Sequence, residues 1–204
     1  MTDPEDNWPT DYSPQWRRHI HAIGVIALRF SQFEACLYDL YIRLASANDS
    51  NLAGIEDTYA NFNDKKRASA TRQRANEFTC DKTISDSVDN LMDYFEWCRI
   101  SRNLILHSEL YPKSFDRKYD LLHLTKTVSK QDTKRGYTSL SVRKCRYIAD
   151  RIQRGVRKSA EIRLRIRFFG LPREKVHPLA QDCVSAASLQ KLRIPQILTL
   201  KERP

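Results

Sequence analysis

Two long segments repeat apolar residues at the spacing of an α-helix, and this pattern constrains the fold of the chain most. In residues 15–47 the positions are Ile20, Ile23, Ala27, Phe30, position 34, Leu37, Tyr41 and Leu44. In residues 83–110 they are Ile84, Val88, Leu91, Phe95, Cys98, position 102 and Ile105. Residues three and four apart share one face of a helix, so each segment predicts a long helix with a buried stripe. The chain is therefore expected to be all-α.

One charged residue interrupts each stripe. Position 34 is Glu34 and position 102 is Arg102. A charge in an apolar stripe either lies at an exposed gap or needs a buried partner. The opposite signs predict that Glu34 and Arg102 meet inside the fold, and the spacing leaves their alignment open.

The remaining segments complete the predicted bundle. A polar outer helix is expected over 57–78 with Asp57 as N-cap, and Pro112 is expected to stop the third helix. The β-branched runs LLHLTKTV and GYTSLSV predict a β-hairpin-like insert within 113–141. Ser141 is expected to cap a fourth helix, 142–168, whose last residues fit either helix or strand. The four main helices, near 15–47, 57–78, 83–110 and 142–168, are predicted to form an antiparallel bundle.

The ends of the chain differ from this core. We expect residues 1–14 to form a polar N-terminal tail, 15–169 a helical domain, and 170–204 a proline-containing tail with one short helix near 179–192. No apolar run reaches the length of a membrane span and the N-terminus does not resemble a signal peptide. The five scattered cysteines indicate reduced thiols. These features predict a cytoplasmic protein without a membrane partner.

The positive charge is concentrated in one part of the chain. The net charge is +10, yet residues 126–175 alone carry a net +12 and residues 1–125 a net −4. Such a block is typical of a surface that binds a polyanion. The predicted contacts to an RNA backbone are Lys134, Arg135, Arg143 and Arg146. The alternative is a basic helix face that is only solvated.

Several kinds of site are excluded by their missing motifs. The five glycines lie too far apart to form a phosphate-binding loop, and the histidines do not form HExxH. We expect no metal and no cofactor.

The third predicted helix ends in a group of residues suited to phosphoryl chemistry. Residues 101–109 read SRNLILHSE, which places Asn103 and His107 on one helical face with Arg102 beside them. A guanidinium can hold phosphate oxygens in a planar fork, and an imidazole transfers protons near neutral pH. An Arg-x4-His spacing also occurs by chance, and the alternative is a surface histidine beside a structural Arg–Glu pair.

The sequence from Arg102 to His107 resembles the Arg-φ-x3-H motif of the HEPN superfamily (higher eukaryotes and prokaryotes nucleotide-binding domains), in which φ is usually Asn, Asp or His. Residues 30–37, FSQFEACL, also resemble the first helix of some HEPN groups, which carries an aromatic residue shortly before a glutamate, here Phe30 and Glu34. The resemblance covers roughly residues 15–168.

The resemblance implies a metal-independent endoribonuclease that acts as a homodimer on an RNA such as a tRNA or mRNA. It implies proton transfer by His107, stabilisation of phosphorane-like charge by Arg102, orientation of His107 or the phosphate by Asn103, and positioning of Arg102 by Glu34. It further implies a toxin or an anti-phage defence effector, with an antitoxin or defence-system protein as partner. Two alternatives stay open. One is a catalytically silent HEPN module that binds nucleic acid, a nucleotide or a protein, and the other is a helical interaction protein whose basic face docks an acidic partner.

Overall fold

The computed structural model describes residues 17–46, 51–78, 82–112, 121–127, 135–169, 190–197 and 201–202. For 109–112, 121–127, 135–137 and 201–202 the description covers the backbone alone. The chain divides into two units. Unit 1 comprises Met1–Leu28, Ile100–Asp150 and Ile197–Pro204, and unit 2 comprises Arg29–Arg99 and Arg151–Gln196.

The described chain is mostly helical, and the all-α prediction is confirmed. The helices are α1 (Arg17–Ser46), α2 (Leu52–Ala60), α3 (Asp64–Phe78), α4 (Lys82–Leu106) and α5 (Val142–Arg167). The buried stripe predicted for α4 is found as expected, with all six of its apolar members buried. The end of α5, which fitted either helix or strand, is helical.

The buried stripe of α1 differs in part from the prediction. Its members are His19, Ala22, Ile26, Phe30, Phe33, Leu37, Leu40, Tyr41 and Leu44. Ile20 is 42% exposed, so the prediction is wrong for this residue. The stripe passes through Phe33, and Glu34 lies half-buried at its edge. Glu34 therefore does not interrupt the stripe as the 3-4 spacing suggested.

The segment predicted as one helix over 57–78 forms two, because asparagines end the first and begin the second. Asn61 follows α2, and its side chain donates to the carbonyl of Asp57 at 2.9 Å. Asn63 accepts from the backbone N–H of Lys66 at 3.0 Å, as an N-cap does. The N-cap of α2 is Asn51, whose side chain accepts from Gly54. The prediction of Asp57 as N-cap is therefore wrong.

In unit 2 the helix directions follow from their contacts. The Tyr94 hydroxyl of α4 donates to the Arg151 carbonyl of α5 at 2.9 Å, and Arg165 reaches back to Thr83 at 2.9 Å, so α4 and α5 are antiparallel. The Phe95 ring of α4 packs on Phe30 of α1 at 5.4 Å.

The helices α1 and α5 run in the same direction. Ser159 donates to the Cys36 carbonyl at 3.2 Å, and Arg163 pairs with Asp39 one turn further along both helices.

Unit 1 contains a small antiparallel sheet in the order β1-β2-β3-β4. The predicted hairpin is present as β2 (Leu121–Thr127) and β3 (Arg135–Ser141), in register Leu124↔Thr138. The other strands are β1 (Glu109–Pro112) and β4 (Lys201–Glu202). The third helix accordingly ends at Leu106, before Pro112, because residues 109–112 pair with β2. Ser141 caps α5 as predicted, accepting from the Lys144 N–H at 3.1 Å.

One described helix, α1, is long and apolar enough to cross a membrane by length and composition. This is weak evidence, since the core helix of a soluble protein passes the same test. Several of its apolar side chains, among them Phe30, Phe33 and Leu40, are buried within the protein.

Candidate functional site

The Arg102–His107 motif occupies the last turn of α4 and the turn that follows it. Leu106 is the last helical residue, and His107 continues the helical pattern by donating its N–H to the Asn103 carbonyl at 3.1 Å. The His107 side chain is exposed. An exposed imidazole at a helix end is accessible to a substrate and can exchange protons with it.

Arg102 is held in place by its neighbour. Its Nη1 donates to Asn103 Oδ1 at 2.7 Å, and the side chain is half-buried. The HEPN resemblance implies that Asn103 orients His107 or a phosphate; in the structure its side-chain oxygen accepts from the guanidinium of Arg102. The structure thus brings Arg102, Asn103 and His107 into one short segment of unit 1.

Glu34 belongs to unit 2, whereas Arg102 belongs to unit 1. Glu34 lines a cavity of about 300 Å³ between α1, α2, α3 and α4, whose walls include Tyr38, Tyr59, Arg67 and Phe95. The pairing of Glu34 with Arg102 stays a prediction.

Tyr59 lines the cavity beside Glu34 and has a raised pKa. Tyr59 is buried, and burial raises its pKa to about 12, an effect that the nearby Arg67 partly opposes and the Glu34 carboxylate reinforces. The Arg67 guanidinium lies over the Tyr59 ring, 5.2 Å from its centroid. A neutral phenol is therefore strongly favoured in the folded protein.

Of the residues predicted to contact an RNA backbone, two are described in full. Arg143 and Arg146 are exposed in the first turns of α5. Arg135 begins β3, with only its backbone described, and Lys134 lies outside the described residues. The predicted short helix near 179–192 falls mostly outside them as well, and residues 190–192 are not helical.

Sequence reasoning missed a basic groove in unit 2, between α5 and residues 190–193. Its volume is about 520 Å³. Its basic residues are Arg151, Arg154, Arg157, Lys158, Lys191 and Arg193, and Glu161 also lines it. The excess of arginine in 142–167 was visible in the sequence, but nothing there indicated that residues 190–197 would lie beside it.

Two side chains of α4 bind residues 190–197. Asn90 accepts from the Leu192 N–H at 2.6 Å and donates to the Leu192 carbonyl at 3.1 Å. Trp97 Nε1 donates to the Gln196 carbonyl at 3.2 Å. Asn90 therefore satisfies both backbone groups of one residue, as a neighbouring strand would, and this fixes the segment on α4.

Among the described residues, no group of three or more His, Cys, Asp or Glu side chains could hold a metal ion. The cysteines Cys36, Cys98 and Cys145 form no disulfide, and burial raises the pKa of the Cys145 thiol to about 11. Cys80 and Cys183 lie outside the described residues.

Comparison with known proteins yields no relative from which a function could be transferred: no protein-family model, no curated protein and no solved structure matches the chain significantly.

Proposed function

We propose that this protein is a metal-independent endoribonuclease of the HEPN type. The observation that carries the proposal is the Arg102–Asn103–His107 arrangement, in which a guanidinium oriented by an amide lies in the same helical end as an exposed imidazole. These groups match the two needs of RNA cleavage, namely charge stabilisation at phosphorus and proton transfer.

In the proposed reaction a ribose 2′-OH attacks the adjacent phosphorus, and the bond from phosphorus to the 5′-oxygen breaks. A base removes the 2′ proton, and an acid donates a proton to the departing 5′-oxygen. The products are a 2′,3′-cyclic phosphate and a 5′-OH. His107 transfers a proton, and Arg102 stabilises the charge on the non-bridging oxygens. Asn103 acts as a positioning residue through Arg102.

One histidine supplies a single proton-transfer group, whereas the reaction uses a base and an acid. A homodimer resolves this difference, since a second copy contributes another His107 through a symmetric contact. RNA is the substrate, and a role as a toxin or anti-phage effector with a controlling partner protein is consistent with such an activity.

The experiment is to incubate the protein with labelled total RNA in EDTA and analyse the new ends. We expect cleavage that leaves 5′-OH ends and is reduced at least about 10²-fold by His107→Ala. His21→Ala is the matched control, because it removes another exposed imidazole, in α1. Cleavage by a folded His107→Ala protein at the wild-type rate would contradict the proposal.

The basic groove favours a second candidate, a module that binds nucleic acid without cleaving it. That function needs Arg154, Arg157 and their neighbours but neither Arg102 nor His107. Binding of RNA by a wild-type protein that leaves the RNA intact would support this alternative.

A further inference from the structure

The basic groove of unit 2 carries more positive charge than its single acidic residue, Glu161, neutralises. Lys158 is buried and pairs with Glu161 at 3.1 Å. Four further cations, Arg154, Arg157, Lys191 and Arg193, are exposed and make no ion pair or hydrogen bond with any residue that the structure describes. Like charges this close repel one another, so a bound anion would offset this repulsion.

The two walls of the groove place their cations at defined backbone positions. On α5, residues 151, 154 and 158 are spaced three and four apart and share one face, and residue 157, three after 154, lies at the edge of that face. With a rise of about 1.5 Å per residue, Arg151 and Arg157 are separated by about 9 Å along the helix axis. On the other wall, Leu192 is bound through both its backbone groups to Asn90, which places Lys191 and Arg193 on either side of a fixed point.

We infer that this groove binds the phosphodiester backbone of RNA, as a site additional to the Arg102–His107 motif. The inference extends the proposed function, because it assigns a location to substrate binding. It also assigns a role to residues 190–193, as the second wall of the groove.

Three features favour a nucleic-acid backbone over other anions, and the choice of RNA rests on the proposed function. A volume of about 520 Å³ exceeds what one inorganic phosphate fills. Four of the six cations are arginines, whose planar fork matches two phosphate oxygens. Among the described residues that line the groove, Leu192 is the one apolar side chain, whereas a bound protein partner normally requires apolar or aromatic anchor pockets. Phosphate contacts carry no sequence preference.

The test measures binding apart from cleavage. The probe is a fluorescent single-stranded RNA with 2′-O-methyl riboses, which lack the attacking hydroxyl and stay intact. Its affinity is measured by anisotropy over a series of salt concentrations. The groove variant is Arg154→Gln/Arg157→Gln/Arg193→Gln. The control is Arg43→Gln/Lys65→Gln/Lys66→Gln, which removes the same charge from exposed positions on α1 and α3.

We expect the groove variant to bind at least about tenfold more weakly. The slope of log K against log salt should fall by about 2, since each phosphate contact to a single strand contributes about 0.7. The control should change affinity less than about threefold. If both variants lost the same RNA affinity, binding would depend on net charge alone and the inference would be overturned. A groove variant with unchanged affinity would overturn it as well. Displacement of the RNA from the groove by poly-glutamate at equal charge concentration would instead indicate an acidic protein as the ligand.

Asn90 provides a test that leaves the charge unchanged. Asn90→Ala removes both hydrogen bonds to Leu192, so we expect affinity to fall about three- to tenfold while circular dichroism confirms that the helices persist. Unchanged affinity would show that the second wall does not contribute.

Groove-dependent binding by a wild-type protein that cleaves no RNA would refute the proposed function alone. Cleavage that depends on His107, with no effect of the groove variant on binding, would refute this inference alone.

Discussion

Asn103 illustrates how one residue of the motif acts on another. Its amide oxygen accepts from the Arg102 guanidinium, and its backbone carbonyl accepts from the N–H of His107. One residue thus fixes the direction of the guanidinium and continues the helical geometry as far as the imidazole. This makes the orientation of Arg102, rather than its charge alone, the property to test.

Arg102→Lys separates charge from orientation. Lysine keeps the positive charge but loses the planar fork and the preferred geometry toward Asn103. We expect RNA cleavage to fall by about 10²-fold, while binding of the 2′-O-methyl RNA changes less than about threefold. The measurement is the cleavage rate at saturating RNA. A rate close to that of the wild type would mean that charge alone suffices.

Tyr59 predicts how stability responds to alkaline pH. Its folded pKa is raised to about 12, above the ordinary value of 10, so the neutral phenol is stabilised in the folded protein. This stabilisation is fully present below pH 10 and is lost as the pH rises through 12. A shift of two units corresponds to about 2–3 kcal/mol.

The free energy of unfolding, measured with denaturant between pH 9 and 12, should therefore fall more steeply for the wild type than for Tyr59→Phe. Tyr147→Phe, at an exposed position, should behave as the wild type does, and equal slopes in all three would contradict this assignment.

At the scale of elements, the contact between α1 and α5 depends on a glycine. A Cβ built on Gly155 would lie 2.4 Å from Cε1 of Phe33. Phe33 is fully buried and packs edge-on against Phe95 at 5.3 Å, so its ring has little room to move. The close approach of the two helices therefore requires glycine at position 155.

Gly155→Ala sets two opposing effects against each other. Alanine favours the helix by about 1 kcal/mol, whereas overpacking a core costs about 1–3 kcal/mol. We expect overpacking to dominate and the free energy of unfolding to fall by about 1 kcal/mol in a denaturant titration. Gly24→Ala is the matched control, since nothing lies within 4 Å of its added Cβ, and it should stabilise α1 by up to about 1 kcal/mol. A stabilised Gly155→Ala protein would show that Phe33 adjusts freely.

Helix periodicity in the sequence identified the buried stripe of α4 correctly, because polar residues flank it. In α1 the prediction was partly wrong, because residues 19–30 are apolar on nearly every face. Two faces then fit the helical period, and packing selected the one with His19, Ala22 and Ile26. The break at 61–63 was detectable, since two asparagines flank Phe62 and asparagine favours helix caps.

At the scale of the whole molecule, the association state follows from the proposed chemistry. If the reaction uses a His107 from each of two copies, the active species is a homodimer. We expect light scattering at micromolar concentration to give about twice the 23.9 kDa of the chain. Mixing an excess of His107→Ala protein into the wild type should lower activity per wild-type chain. An active species with the mass of a single chain would contradict the shared site.

The sequence by itself determined the helical class, the hairpin, the Ser141 cap and the presence of Arg102, Asn103 and His107 at one helix end. These features depend on the spacing of residues along the chain, because that spacing determines which side chains lie together within one helix or one hairpin. Only the tertiary structure decided which face of α1 is buried, where the third helix ends before β1, and that Asn90 binds Leu192, 102 positions away in the chain. Such contacts depend on packing between segments that are distant in the chain. They produce no periodic pattern of residues, so the sequence alone does not predict them. The basic groove belongs to this second group, because four of its nine lining residues come from residues 190–193, whose position beside α5 no sequence pattern indicated.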